Sequence, residues 1–123
     1  MKKIETMEVN HVVIAVITGD EKLITDVNSA LDLIMTVKYD TGAERIAICK
    51  EAVAEDFFIL STGMAGEILQ KFVNYQIKFA VYGDYSQYTS KPLKDFIYES
   101  NHGSTAFFVN TKEEAVAKLA EPE

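Results

Sequence analysis

Val12-Val13-Ile14-Ala15-Val16-Ile17, inside the segment Val9 to Thr18, is the stretch that decides the fold. A short, unbroken, mostly β-branched apolar run suits a strand covered on both faces, because a half-solvated strand would alternate polar and apolar residues. Ile4 to Glu8 precedes it and is placed to pair as an edge strand across a turn near Asn10. Gly19-Asp20 ends the run. From Thr25 the apolar residues Val27, Ala30, Leu31, Ile34 and Val37 fall at helical spacing, with Asp26 adding negative charge to the first turn and Gly42 closing the helix.

The same alternation continues to the end of the chain. Arg45-Ile46-Ala47-Ile48-Cys49 reads as a second buried strand, Met64 to Asn74 as a helix that turns Ala65, Ile68, Leu69 and Phe72 inward, and Ile77 to Tyr82 as a third buried strand. Ser90-Lys91-Pro92 announces another helix, since serine caps well and proline is tolerated in a first turn. Leu93, Phe96 and Ile97 form its apolar stripe, and Asn101-His102-Gly103 supplies its stop. Ala106 to Val109 is the last strand, and Thr111-Lys112-Glu113-Glu114 fits a capping box before a helix carrying Ala115, Val116 and Leu119. The tail Glu121-Pro122-Glu123 is expected to fray. The expected fold is one α/β domain over 1–123: a mostly parallel sheet of four to five strands, an antiparallel N-terminal edge strand and about four helices.

Composition narrows the function. The chain has 123 residues, 48% of them hydrophobic, enough for one core without metal or disulfide staples. Its 12 basic and 19 acidic residues give a net charge of -7, a field that repels the phosphates of nucleic acids and anionic membranes. With one cysteine, Cys49, no internal disulfide can form, and no apolar run approaches the roughly 20 residues of a membrane span. A cytoplasmic setting is expected, with neither nucleic acid nor membrane as partner.

In an open parallel sheet, sites gather where chain leaves the carboxyl ends of the strands. That edge collects Lys50 to Ser61, Tyr82 to Ser90 and Asn110-Thr111, with helix starts expected at Thr62, Ser90 and Thr111. Ser61-Thr62-Gly63 draws most attention, because two hydroxyls and a glycine at a helix start can cap the helix and still leave one hydroxyl facing solvent. The plain alternative is an ordinary N-cap. Tyr82, Tyr85 and Tyr88, with Phe57 and Phe58, crowd the same edge, either as a contact surface for another protein or as outer core. Glu55, Asp56 and Asp84 could hold a hard cation such as Mg²⁺, although their spacing matches no metal signature. His11 and His102 each stand beside a turn without a partner at ligand spacing, and Cys49 reads as a small buried hydrophobe unless the fold brings it to His102.

Leu60-Ser61-Thr62-Gly63-Met64-Ala65, opening a helix after the second buried strand, resembles the start of the second helix in STAS domains, the anti-anti-sigma-factor fold of bacterial regulators. Those domains carry an Asp-Ser-Ser/Thr-Gly-Leu-Gly motif with a phosphorylatable hydroxyl. Phe107-Phe108-Val109-Asn110-Thr111-Lys112-Glu113-Glu114-Ala115 is similar to the strand and helix start that end many of them. Ser61 stands at the position of the phosphorylatable residue, with Thr62 beside it, while Leu60 replaces the motif's aspartate. Glu67 to Tyr75 and Ser90 to Asn101 are also similar to an uncharacterised bacterial family, domain of unknown function 4180.

The resemblance implies a non-enzymatic, cytoplasmic, regulatory protein-interaction module of a bacterium, with no cofactor. The resemblance places the candidate phosphorylation at Ser61, with Thr62 beside it; together with Gly63, Tyr85, Tyr88 and Ser90 of the same rim they make up the candidate phosphorylation and partner-binding residues, and the expected partner is a protein, with a homodimer left open. The alternative is a small-ligand or metal-dependent binding domain, or a weak hydrolase, built on Glu55, Asp56 and Asp84.

Overall fold

The computed structural model describes residues 3–121, so the expected fraying at Pro122 and Glu123 lies outside the described residues. The edge strand β1 (Lys3–Val9) turns back into β2 (Val12–Thr18) with Val9 opposite Val12. Asn10 and His11 between them hold φ of 54° and 67°. Positive φ at both central positions is the two-residue turn whose twist matches an antiparallel ribbon. β2 then pairs in parallel with β3 (Arg45–Cys49), β3 with β4 (Lys78–Tyr82), and β4 with β5 (Ala106–Val109). Among the described residues the sheet has five strands in the order of the chain.

Helices α1 (Val27–Thr41), α2 (Met64–Asn74) and α3 (Lys91–Asn101) form the three crossovers, and α4 (Lys112–Leu119) follows β5. With strands in sequential order, crossovers of one hand must lie on one face. The side chains confirm this. Ala15, Ile17, Ile46, Ile48, Phe79, Val81 and Phe108 join Ile34, Ile68, Phe72 and Leu93 in one core, whereas Ile14, Val16, Ala47, Ala80 and Phe107 meet Ala115 and Leu119 of α4 in another. Alternate residues of β2 therefore serve opposite cores, which is why its sequence is apolar without a break.

The inward faces of all four helices need correction. In α1, Leu33 rather than Leu31 joins Ala30, Ile34 and Val37 in the core, and Asp26 is the N-cap, accepting from Ser29 N at 2.8 Å while Ser29 Oγ takes Asp26 N at 3.0 Å. In α2, Leu69 is half-buried beside the buried Ala65, Ile68 and Phe72. Phe96, Ile97 and Val116 are likewise half-buried rather than enclosed. No helix among the described residues is long and apolar enough to cross a membrane.

Candidate functional site

The carboxyl ends of β2 to β5 and the starts of all four helices face one rim, and the loops there are tied to one another. Leu23 N donates to Ala52 O at 2.7 Å and Ala54 N to Ile24 O at 2.8 Å, so the segment after β2 runs as a short parallel bridge beside the segment after β3. Beyond β3 the chain folds into three short 3₁₀ turns, Lys50–Ala52, Glu55–Phe58 and Leu60–Thr62, before α2 begins.

Lys50, directly after β3, is the one buried charged residue among those described, only 7% exposed. Its Nζ lies 3.1 Å from Glu55 Oε1, 5.2 Å from the ring centre of Phe58 and 4.8 Å from that of Tyr88. Tyr88 Oη donates to the other Glu55 oxygen at 2.8 Å. Burial opposes the Lys50 charge, but hydrogen bonding to Tyr88 and Glu55 outweighs it and holds the ammonium above its ordinary pKa. Burial likewise opposes the Glu55 charge, and Tyr88 and Lys50 reverse that and hold the carboxyl below its ordinary value. A lysine fixed as a cation is no nucleophile at neutral pH. It acts as a brace, joining the loop after β3 to the loop after β4. Gly83 lets this brace in, because a Cβ there would stand 2.6 Å from Lys50 Cβ.

The expected hydroxyl pair divides. Thr62 Oγ1 donates to Ile59 O at 2.9 Å, with Asp56 O at 3.2 Å, and accepts from Met64 N at 3.2 Å. Thr62 is thus spent within its own turn. The helix does not start at Thr62, because Gly63, at φ 77°, holds the N-cap position and Thr62 ends the preceding 3₁₀ turn. Ser61 is exposed, and its hydroxyl has no hydrogen-bond partner among the described residues. Ile59, two residues earlier, is 49% exposed.

The aromatic residues form a layer under this surface more than the surface itself. Phe57 and Phe58 are buried, so of the two readings left open for them outer core is the one that holds. Tyr85 is half-buried against Phe58 and donates its hydroxyl to Val81 O at 2.7 Å, and burial pushes its pKa far up. Tyr82 reaches Ile17 O at 3.2 Å, and burial raises its pKa to about 12. Tyr88, stacked on Phe58 at 5.3 Å, comes nearest to solvent on the Glu55 side. Ser90 caps α3, accepting from Leu93 N at 3.4 Å, and Thr111 caps α4, accepting from Glu114 N at 3.1 Å.

Two of the three candidate carboxylates are engaged by neighbouring groups, and the third, Asp56, is exposed. Both Glu55 oxygens are engaged by Lys50 and Tyr88, and Asp84 Oδ1 accepts from Ser86 N at 2.8 Å. No group of three His, Cys, Asp or Glu that could hold a metal ion occurs among the described residues. Cys49 is buried with its thiol toward Gly19 O at 3.1 Å, at the carboxyl end of β3. His102 ends α3 at the opposite rim with Nδ1 2.8 Å from Tyr98 O, so the two cannot form a nucleophile and base pair. His11 lies in the β1–β2 turn, 4.0 Å from Glu8 Oε2.

Sequence reasoning missed Lys50. Its one signal was a lysine placed directly behind the apolar run Ile46 to Cys49, with a glycine, Gly83, at the equivalent point behind the next strand.

The model of the family described as "Domain of unknown function (DUF4180)" matches residues 9–119, and the chain belongs to that family. No curated protein and no solved structure matches it.

Proposed function

We propose that this family member is a non-enzymatic, STAS-like regulatory module of the bacterial cytoplasm that docks a partner protein over the start of α2 and releases it when Ser61 is phosphorylated. The observation that carries this reading is the division of labour at residues 59 to 62. Thr62 is committed to the turn, while the Ser61 hydroxyl is unengaged in solvent beside an exposed isoleucine.

Apolar contact at Ile59 supplies the affinity, and Tyr88 adds ring area that the Lys50 brace already holds in place, so little side-chain freedom is lost on docking. A phosphoryl group on Ser61 adds about -1.5 to -2 of charge and a hydration shell two residues from Ile59. It joins the exposed Glu51, Asp56 and Asp84 on the same rim and turns an apolar contact into an anionic one. The fold tolerates the change, because negative charge at the start of α2 is favourably placed against the helix dipole.

Capture from native-cell extract with the wild-type chain, Ser61→Asp and Ile59→Asp tests the proposal. A partner retained by the wild type and lost by both variants is expected. Equal capture by all three contradicts it. A rise in melting temperature with Mg²⁺, Mn²⁺ or nucleotides would point instead to a ligand-binding domain, because a ligand bound only to the native state raises that temperature.

A further inference from the structure

The two edges of the sheet are finished differently. At the β5 edge, Phe108 N donates to Asn101 Oδ1 at 2.7 Å and Asn101 Nδ2 donates to Phe108 O at 3.0 Å. One side-chain amide thus takes the place of a further strand and closes that edge. At the other edge, the two-residue turn makes Val9 and Val12 a hydrogen-bonded pair, so Met7, Glu5 and Lys3 also face β2 along the ladder. Ile4, Thr6 and Glu8 then point their N–H and C=O groups outward, where they have no partner among the described residues.

An open edge of seven residues is a template for another strand. We infer that β1 pairs antiparallel with β1 of a second copy of this chain, around a two-fold axis through Thr6, to give one continuous sheet across the dimer. The sequence of β1 accommodates a second copy in that register. Centred on Thr6, every residue of Lys3–Val9 finds an opposite, with Thr6 facing Thr6, Ile4 facing Glu8, Glu5 facing Met7 and Lys3 facing Val9. No like charges stand directly opposite, and a Thr–Thr pair is among the favourable cross-strand combinations. Glu5 is already paired with Lys3 of its own strand at 2.9 Å, and Met7, 42% exposed, gains cover from the added strand. Sliding the register two residues toward the N-terminus sets Glu5 against Glu5, which disfavours it. This pairing is independent of docking at Ser61, which lies on another edge of the molecule.

Sedimentation of the full chain from micromolar to millimolar concentration is expected to show a monomer–dimer equilibrium. Hydrogen exchange at the two ends of that range locates the interface. The amides of Ile4, Thr6 and Glu8 are expected to exchange freely in the dilute protein and slowly in the concentrated one. Thr6→Pro removes an outward N–H without touching the ladder to β2, and it is expected to weaken the dimer roughly tenfold or more, the effect of losing a symmetric pair of hydrogen bonds. Should that variant fail to fold, Thr6→Lys opposes two ammonium groups across the axis and is expected to give the same loss. A wild type that stays monomeric throughout, a dimer whose outward β1 amides exchange as fast as in the monomer, or a dimer that survives in either folded variant overturns the inference.

Discussion

Gly83 and Lys50 touch across the rim so closely that one methyl group measures the fit. In Gly83→Ala the new Cβ would meet Lys50 Cβ at 2.6 Å, and both atoms sit near backbone rather than at the tip of a flexible chain. Overpacking of this kind costs about 1–3 kcal/mol, so denaturant unfolding is expected to show that loss, and an unchanged midpoint would mean the brace is loose. The sequence hid this contact for a physical reason. A buried lysine is recognised by its partners, and Glu55 and Tyr88 reach Lys50 only once two loops have been brought side by side. Ser61 and Thr62 were legible as a hydroxyl pair near a helix start, because composition and punctuation mark such places. Which hydroxyl is used locally depends on the 3₁₀ turn over Leu60–Thr62, and no periodicity signals a turn that short.

At the scale of the element, Asn101 is the clearest case of a residue with two readings. Its place beside His102-Gly103 marks it as a helix stop, and α3 does end there. Its amide also closes the β5 edge through both the N–H and the C=O of Phe108. Asn101→Ala leaves those two half-buried groups unpaired and is expected to destabilise the chain by about 2 kcal/mol, with faster hydrogen exchange at Phe108. A cost within a few tenths of a kcal/mol would show that water replaces the amide without loss. Helix bounds at α2 and strand bounds at β3 and β5 were readable because Gly, Asn and Ser punctuate strongly periodic segments. The inward faces were less readable: Leu33 displaced Leu31 in α1 because the core lies between α1 and α2 as well as beneath α1, which shifts the buried arc.

For the whole molecule, sequential strand order decides where function can gather. Three crossovers cover one face, α4 covers the other, and every helix therefore starts on the rim where the parallel strands end. The alternation of strand and helix patterns was enough to expect that rim. It could not say that the loops after β2 and β3 bridge at Ile24 and Val53, because such pairing joins residues remote in sequence that carry no shared pattern. The rim holds a braced aromatic floor beside the exposed Ile59 and the unengaged Ser61 hydroxyl. For the proposed switch the consequence is selective modification, since phosphorylating Thr62 would break its bonds to Ile59 O and Met64 N while phosphorylating Ser61 would break none among the described residues. Site-resolved mass spectrometry of the protein taken from its native cells, across growth and stress, measures this directly: phosphate on Ser61 with Thr62 unmodified is the result expected, and both residues bare under every condition, or phosphate on Thr62 alone, contradicts the account.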